Sequence, residues 1–293
     1  MWPSASTMYS DRCGFLGWVP SVWSGTTRKP SSLLCPRRLP ARLSRCSVSE
    51  TTVRARLDAI LFDCDGVLAE TERDAHRVAF NLAFAEKGID TRWGEELYGE
   101  LLEVGGGKER MTAYWNDVGW PPGYQGFDVQ TTLVKELHAI KTKLFMKLVQ
   151  RGEVPLRVGV KRLVEEALAA NVTIAVCSTS NERAVAEIVA QLGPEASNVI
   201  QIFAGDVVER KKPSPDIYIL AAAELSVDPS NVCVVEDTHI GLTAAKAAGM
   251  RCLVTKSIYT QREDFAAADR VVDSLENPII RLNEISKITA DRN

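Results

Sequence analysis

The sequence predicts an α/β fold in which a parallel sheet with helices on both faces carries an inserted helical lobe. Short apolar runs alternate with helical patterns from about residue 155 onward, and one further apolar run stands alone at residues 59–62. The stretch between them is helical in pattern and has few strand signals. Such alternation produces a doubly wound, Rossmann-like sheet. The helical stretch after the first strand indicates an insertion.

These patterns divide the chain into four parts. We predict a leader over residues 1–53, an α/β core from residues 54–72 and 154–275, an inserted helical lobe over 73–153, and a C-terminal tail over 276–293. No apolar run reaches the length that crosses a membrane, so we expect a water-soluble protein with no membrane partner.

The first 49 residues differ in composition from the rest. They contain seven basic residues, one acidic residue and ten serines, whereas the remainder has 28 basic and 37 acidic residues. A serine-rich, basic and acid-poor leader is typical of an organelle transit peptide, with a disordered tail as the alternative. The acidic remainder argues against nucleic-acid binding, because it offers no basic face.

The cysteines predict core positions. Outside the leader they are Cys64, Cys177, Cys233 and Cys252, all in or beside predicted strands and without C-x-x-C spacing. We therefore expect small buried residues in a reducing compartment. Because Cys64 and Cys177 neighbour proposed catalytic residues, a redox-sensing role stays open.

The first strand and the residues after it organise the rest of the chain. The apolar run 59–62 contains no charged residue, which is typical of a buried parallel strand. Asp63 and Asp65 follow at its carboxyl end, and then Gly66. Ligands bind at the carboxyl ends of strands in such sheets, and two neighbouring acids favour a cation between them. A solvated turn is the alternative.

The inserted lobe is predicted to contain two long helices. Apolar residues at helical spacing favour a helix over residues 72–87, which Gly88 is placed to end, and another over about 131–150. A glycine-rich run at 105–107 and a loop at 121–127 lie between them.

Three later strand ends carry chemistry-bearing residues. Ser178 and Thr179 follow the apolar run 172–177, Lys212 follows a short strand near 200–203, and two acids follow 232–235. Those acids are Glu236 and Asp237. If the strands are parallel neighbours, these groups meet Asp63 and Asp65 at one edge of the sheet.

The assembled site predicts metal-assisted phosphoryl transfer. Carboxylate oxygens suit a hard divalent cation, and Mg²⁺ is the expected one, since zinc-type cysteine and histidine spacing is absent from the sequence. Phosphoryl transfer depends on positioning and charge neutralisation, which a cation, a lysine and a hydroxyl provide. A carboxylate can act as the nucleophile and form an aspartyl-phosphate.

Four ordered motifs resemble those of haloacid-dehalogenase-superfamily phosphatases. They are DCDGV at Asp63 and Asp65, Ser178 after its strand, Lys212 in KKPSPD, and the Glu236-Asp237 pair in EDTHIGLTAAKAAG. The segments GGGKERM, AGDVV, KKPSPDIY and TKSIYT are similar to the plant and algal CbbY-type branch. That branch is associated with xylulose-1,5-bisphosphate, a misfire product of Rubisco, in the chloroplast stroma.

The resemblance implies a catalytic role for each core residue. Asp63 would attack phosphorus, and Asp65 would protonate the leaving oxygen and later deprotonate water. Ser178, with Thr179 beside it, and Lys212 would bind the phosphoryl group.

The resemblance also implies a metal site. Asp63, the backbone carbonyl of Asp65, and Asp237 would hold Mg²⁺, with Glu236 beside or behind them. Gly66 would let the backbone approach closely.

The inserted lobe would then be a cap that closes over the site and excludes water. A bisphosphate needs a second anion site, for which an arginine and a lysine beside the glycine run are candidates. The candidate substrate-binding residues of the lobe are Glu72, Tyr98, Gly107, Lys108, Arg110 and Lys141. Solvated helix charges and packing aromatics are the alternatives. We expect His76 to be an exposed helical residue.

The leading hypothesis is a Mg²⁺-dependent phosphatase for a small phosphorylated sugar, acting as a monomer. A sugar phosphomutase of the β-phosphoglucomutase type shares every core motif and is the nearest rival. Dehalogenase chemistry dispenses with the second aspartate, present here as Asp65. A non-catalytic binding protein is disfavoured because every motif position is intact. The resemblance places the protein in the chloroplast stroma, with the mitochondrion as the alternative.

Overall fold

The computed structural model describes residues 57–290, so the predicted leader lies outside the described residues. Six strands form one sheet in the order β3-β2-β1-β4-β5-β6, and every neighbouring pair is parallel. The strands are β1 (Ala59–Phe62), β2 (Thr173–Ser178), β3 (Gln201–Ala204), β4 (Val232–Glu236), β5 (Arg251–Thr255) and β6 (Arg270–Val272). The predicted parallel sheet is confirmed.

Helices that follow residue 159 cover both faces of this sheet. The helices of the described residues are α1 (Arg77–Glu86), α2 (Glu95–Leu101), α3 (Gly107–Val118), α4 (Phe127–Gln150), α5 (Val160–Ala169), α6 (Glu182–Ala190), α7 (Pro194–Ser197), α8 (Asp216–Leu225), α9 (His239–Ala247) and α10 (Leu282–Ala290), with a π-helical turn at Glu72–His76 and a 3₁₀ turn at Pro229–Asn231.

Strand β1 lies at the centre of two apolar layers. Ile60 and Phe62 pack with residues of α5, α6 and α10, whereas Ala59 and Leu61 pack with residues of α8 and α9. Successive side chains of a strand point to opposite faces, so an uncharged run supplies both layers at once. The predicted doubly wound, Rossmann-like architecture is therefore confirmed.

Helices α1 to α4 have an apolar cluster of their own. It is rich in aromatic residues, and Trp93, Tyr98 and Trp115 are among its fully buried members. Helix α4 starts at Phe127, four residues earlier than predicted, directly after Gly126 with φ of 91°. The glycine can adopt this left-handed conformation and so ends the preceding loop.

Two linkers join these helices to the sheet. The outgoing linker (residues 66–71) and the return linker (residues 151–159) lie side by side, because Ala69 and Leu156 form an antiparallel bridge. The amide of Arg157 donates to the carbonyl of Leu68 at 2.8 Å. The chain thus leaves and re-enters the sheet at one place. The assignment of residues 73–153 as a closing cap stays a prediction.

The C-terminal segment differs from the predicted tail, since it contains helix α10. Ile285 and Ile288 of this helix pack in the same layer as Ile60. Arg162 of α5 fastens the segment by donating to the carbonyls of Leu275 at 2.7 Å and Ile280 at 3.0 Å. Apolar side chains at helical spacing therefore complete one face of the core.

The described cysteines occupy core positions, as predicted. Cys64, Cys177, Cys233 and Cys252 are free thiols and are buried. Burial raises the pKa of Cys177 to about 12, so this thiol is not a ready nucleophile. Between residues 57 and 290, no helix is both long enough and apolar enough to cross a membrane.

Candidate active site

The carboxyl ends of β1, β2 and β4 meet at one edge of the sheet. Asp63 and Asp65 follow β1, Ser178 ends β2, and Glu236 ends β4 with Asp237 next in sequence. Because β1 lies between β2 and β4, their last residues are neighbours. The loop after β3 brings Lys212 to the same place.

Lys212 lies at the centre of the site. Its Nζ donates to Asp63 Oδ1 and Glu236 Oε1, both at 2.6 Å, and to the carbonyl of Cys177 at 3.0 Å. Its side chain is only 8% exposed. Burial opposes its charge, yet Asp63 and Glu236 outweigh burial and raise the pKa of Lys212. The lysine is therefore a fixed ammonium beside the predicted nucleophile.

Three acidic side chains form a cluster that suits a metal ion. Oxygens of Asp63, Glu236 and Asp237 lie within 4.8 Å of one another, and all three residues are buried. Oδ1 of Asp237 is buried without a hydrogen-bond partner in the described part of the chain. Burial raises the pKa of Asp63 to about 8, although Lys212 counteracts it. A divalent cation would supply the missing positive charge and a partner for Asp237.

Glu236 has a different role from the other two acids. Its Oε1 accepts hydrogen bonds from Lys212 and from the hydroxyl of Tyr218, both at 2.6 Å. Its Oε2 accepts the amide of Asp237 at 3.1 Å. Both oxygens have protein donors, so Glu236 orients Lys212 and the backbone of Asp237. Its ligation of a metal stays a prediction.

The carboxylate of Asp65 is held by hydroxyl groups. Thr71 Oγ1 donates to Oδ1 at 2.5 Å, while Ser180 Oγ at 2.5 Å and Ser178 Oγ at 3.2 Å donate to Oδ2. The side chain is thus oriented separately from Asp63. Ligation of a metal by its backbone carbonyl stays a prediction. Thr179, which follows Ser178 directly after β2, has an exposed side chain.

Gly66 brings the backbone against Asp237. Its φ is +85°, and a Cβ at this position would lie 2.0 Å from Asp237 Oδ2. Only glycine fits, because any side chain would overlap a carboxylate of the cluster.

We expect Gly66→Ala to lower phosphate release by roughly 100-fold, since a displacement of the order of 1 Å at the reacting groups has this effect. The matched control is Gly88→Ala, because Gly88 also has positive φ (+67°) but has nothing within 4 Å of its Cβ position. Both substitutions should lower the free energy of unfolding by about 1 kcal/mol, because alanine is strained in the left-handed conformation. Steady-state turnover and chemical denaturation of the two separate the effects, and equal losses of activity would contradict the role given to Gly66.

In the helical segment, Glu72, Tyr98 and Arg110 form a connected set. The hydroxyl of Tyr98 donates to Glu72 Oε2 at 2.6 Å and accepts from Arg110 Nη1 at 3.0 Å. Arg110 also donates to the carbonyls of Leu101 at 2.9 Å and Val104 at 3.3 Å. This arginine therefore holds the loop before α3 and orients Tyr98.

Lys141 forms a second pair with His76. Its Nζ lies 2.5 Å from His76 Nδ1, and the His76 ring stacks on Phe145 with centroids 4.2 Å apart. Burial and, to a smaller extent, the charge of Lys141 lower the pKa of His76 to about 3. The neutral ring can therefore accept a hydrogen bond from the Lys141 ammonium. The expectation that His76 is an exposed helical residue is wrong: the π-helical turn directs it onto α4.

The remaining lobe candidates lie at the start of α3. Gly107 is its first residue, and a Cβ there would lie 3.0 Å from the ring of Phe80. Lys108 is exposed. Burial lowers the pKa values of both Lys141 and His76, and the charge of Asp65 is among the weaker effects that oppose this.

Sequence reasoning missed several residues that orient the site. Thr71 and Ser180 hold Asp65, Tyr218 holds Glu236, and His76 pairs with Lys141. The hydroxyl residues that follow two of the motifs were a usable signal for Thr71 and Ser180. Tyr218 reaches the site from the first turn of α8, and its place as the last residue of KKPSPDIY was the available signal.

Residues 57–249 match the family model of haloacid dehalogenase-like hydrolases. The chain is 54% identical to the CBBY-like protein of Arabidopsis thaliana over 235 residues, which are 80% of this chain and 73% of that protein. It is 43% identical to the protein CbbY of Cereibacter sphaeroides over 220 residues, which are 74% of this chain and 92% of that protein.

A solved structure supports the same relationship. The crystal structure of a CbbY mutant from Rhodobacter sphaeroides in complex with xylulose-1,5-bisphosphate has a TM-score of 0.64 and 40% identity to this chain. The match covers 78% of this chain and 99% of that one. The chain therefore belongs to the haloacid dehalogenase-like hydrolase family, in its CbbY-like branch.

Proposed function

We propose that the protein is a Mg²⁺-dependent phosphatase that hydrolyses a small sugar bisphosphate, xylulose-1,5-bisphosphate, to xylulose 5-phosphate and phosphate. The observation that carries the proposal is the contact of a buried ammonium, Lys212, with Asp63 Oδ1 at 2.6 Å beside a second, separately oriented aspartate. The substrate is proposed by analogy with the ligand of the Rhodobacter sphaeroides CbbY complex.

The reaction would proceed in two steps. In the first, an oxygen of Asp63 forms a bond to phosphorus while the bond from phosphorus to the sugar oxygen breaks, and Asp65 gives its proton to that oxygen. In the second, water attacks phosphorus, Asp65 takes up its proton, and the bond to Asp63 breaks. Ser178 and Lys212 would bind the phosphoryl oxygens through both steps.

Mg²⁺ held by Asp63, Asp237 and the backbone carbonyl of Asp65 would neutralise the buried carboxylates and stabilise charge on the phosphoryl group. The unpartnered Oδ1 of Asp237 supports this assignment. Glu236 would keep Lys212 and Asp237 in place.

The second phosphate of the substrate would bind near Lys141 in the helical segment. Burial lowers the pKa of Lys141 to about 8, against the effect of Glu72, and an incoming phosphate would favour its charged form. Arg110 donates from three of its nitrogens within the segment. We therefore assign Arg110 to the orientation of Tyr98 and Glu72 rather than to a two-pronged grip on phosphate.

Purified protein should release phosphate from xylulose-1,5-bisphosphate with a kcat/KM at least about tenfold above that for xylulose 5-phosphate or glucose 1-phosphate. A substrate with one phosphate leaves one of the two anion sites without a partner, so it should bind less well. Chelation should remove the activity, and added Mg²⁺ should restore it. A preference for monophosphates would overturn the bisphosphate assignment. Interconversion of sugar phosphates without phosphate release would instead indicate a mutase.

We infer that the protein works in the chloroplast stroma. The plant CBBY-like relative and the basic, serine-rich composition of residues 1–49 support this location.

A further inference from the structure

The return linker carries a largely buried arginine that the reaction does not use. The side chain of Arg157 is 11% exposed and forms an ion pair with Glu70, whose side chain is 14% exposed, at 3.2 Å from Nε to Oε1. Glu70 lies on the outgoing linker. One guanidinium therefore joins the two linkers.

The same guanidinium also donates to four backbone carbonyls, which lie in three other parts of the chain. Nη1 donates to the carbonyls of Gly66 and, at 3.2 Å, of Thr255, while Nη2 donates to those of Lys256 at 2.6 Å and Asp273 at 3.2 Å. Thr255 ends β5, and Asp273 follows β6. Arg157 thus fastens the catalytic loop to the carboxyl edge of the sheet.

The carbonyl of Gly66 is a sensitive place for such an anchor. Gly66 packs so closely against Asp237 Oδ2 that no Cβ fits. Gly66 also follows Asp65 directly in the sequence. On the other side of the loop, Glu70 precedes Thr71, whose hydroxyl holds Asp65 at 2.5 Å. A shift of Gly66 or Glu70 would therefore move both aspartates relative to Asp237.

We propose that Arg157 is a positioning residue for phosphoryl transfer, which holds the loop of Asp63 and Asp65 in register with Asp237 through Gly66 and Glu70. Its ion pair and hydrogen bonds go to Glu70 and to backbone carbonyls rather than to the acidic cluster, although its charge acts on Asp237. Only arginine suits the role, because its planar fork offers five donors, whereas a lysine offers one compact ammonium. The inference rests on the proposed phosphoryl transfer at Asp63.

The test compares Arg157→Lys with Arg162→Lys in the full chain. Arg162 is a matched control, since it also donates to two backbone carbonyls and to Glu276, but at the C-terminal segment. We expect Arg157→Lys to lower kcat by more than about tenfold and to change KM by less than about threefold, because substrate contacts stay in place. Arg162→Lys should keep kcat within about twofold.

Hydrogen exchange gives a readout that needs no substrate. Amides of residues 63–71 should exchange at least about tenfold faster in Arg157→Lys than in the parent, while those of β1 to β5 keep their rates. If Arg157→Lys does not fold, Glu70→Gln, which removes one charge at constant shape, should show the same changes more weakly. Unchanged exchange in residues 63–71, or a kcat loss equal to that of Arg162→Lys, would overturn the proposal. Failure of the proposed substrate alone would leave the exchange result standing.

Discussion

Replacing Asp63 with asparagine is expected to lower phosphate release by at least about 1,000-fold, as loss of a covalent nucleophile does. The amide keeps the shape of the side chain, and its oxygen can still accept from Lys212, which lies 2.6 Å away in the parent. Folding should therefore be retained. Phosphate release under saturating Mg²⁺ and the thermal unfolding midpoint measure the two quantities.

Asp206→Asn is the control for this change, because the side chain of Asp206 is 99% exposed and bonds only to Lys211 among the described residues. It should keep its turnover within about twofold of the parent. Turnover by Asp63→Asn at the control's level would refute the assignment of Asp63 as the nucleophile.

Among these substitutions, replacing Lys212 with methionine is expected to lower the stability of the fold most. The change leaves Asp63 and Glu236 without their shared ammonium, in a place where their side chains are 11% and 1% exposed. Removing one partner of a buried ion pair costs about 3 kcal/mol or more. Turnover should fall by at least about 100-fold, because the positive charge of Lys212 that would bind the phosphoryl oxygens is lost. Denaturant titration and phosphate release provide the measurements.

Lys211→Met separates this effect from a general loss of charge in the loop. The Lys211 side chain is 38% exposed and pairs with exposed Asp206. An exposed pair contributes about 0–1 kcal/mol, so this variant should remain close to the parent. If both variants lose the same stability, Lys212 is not the electrostatic centre of the site.

The buried strands and the residues at their ends could be predicted without coordinates. An uncharged run such as Ala59–Phe62 can be buried on both faces, and polar residues directly after it must lie at the edge of the sheet. Lys212 lies well beyond the end of β3, so its approach to Asp63 was expected from the KKPSPD motif rather than from this rule. Helix α10 was missed because its short apolar pattern resembles that of an exposed tail until Ile285 and Ile288 meet the core.

The amino-acid sequence by itself determined the parallel sheet, the two aspartates after β1 and the acidic pair at the end of β4, because strand period and strand ends are local properties of the chain. Only the tertiary structure decided which groups hold those acids. Tyr218 reaches Glu236 from α8, and Arg157 reaches Gly66 across 91 positions of sequence. Such contacts depend on how separate elements pack, and no local spacing encodes them.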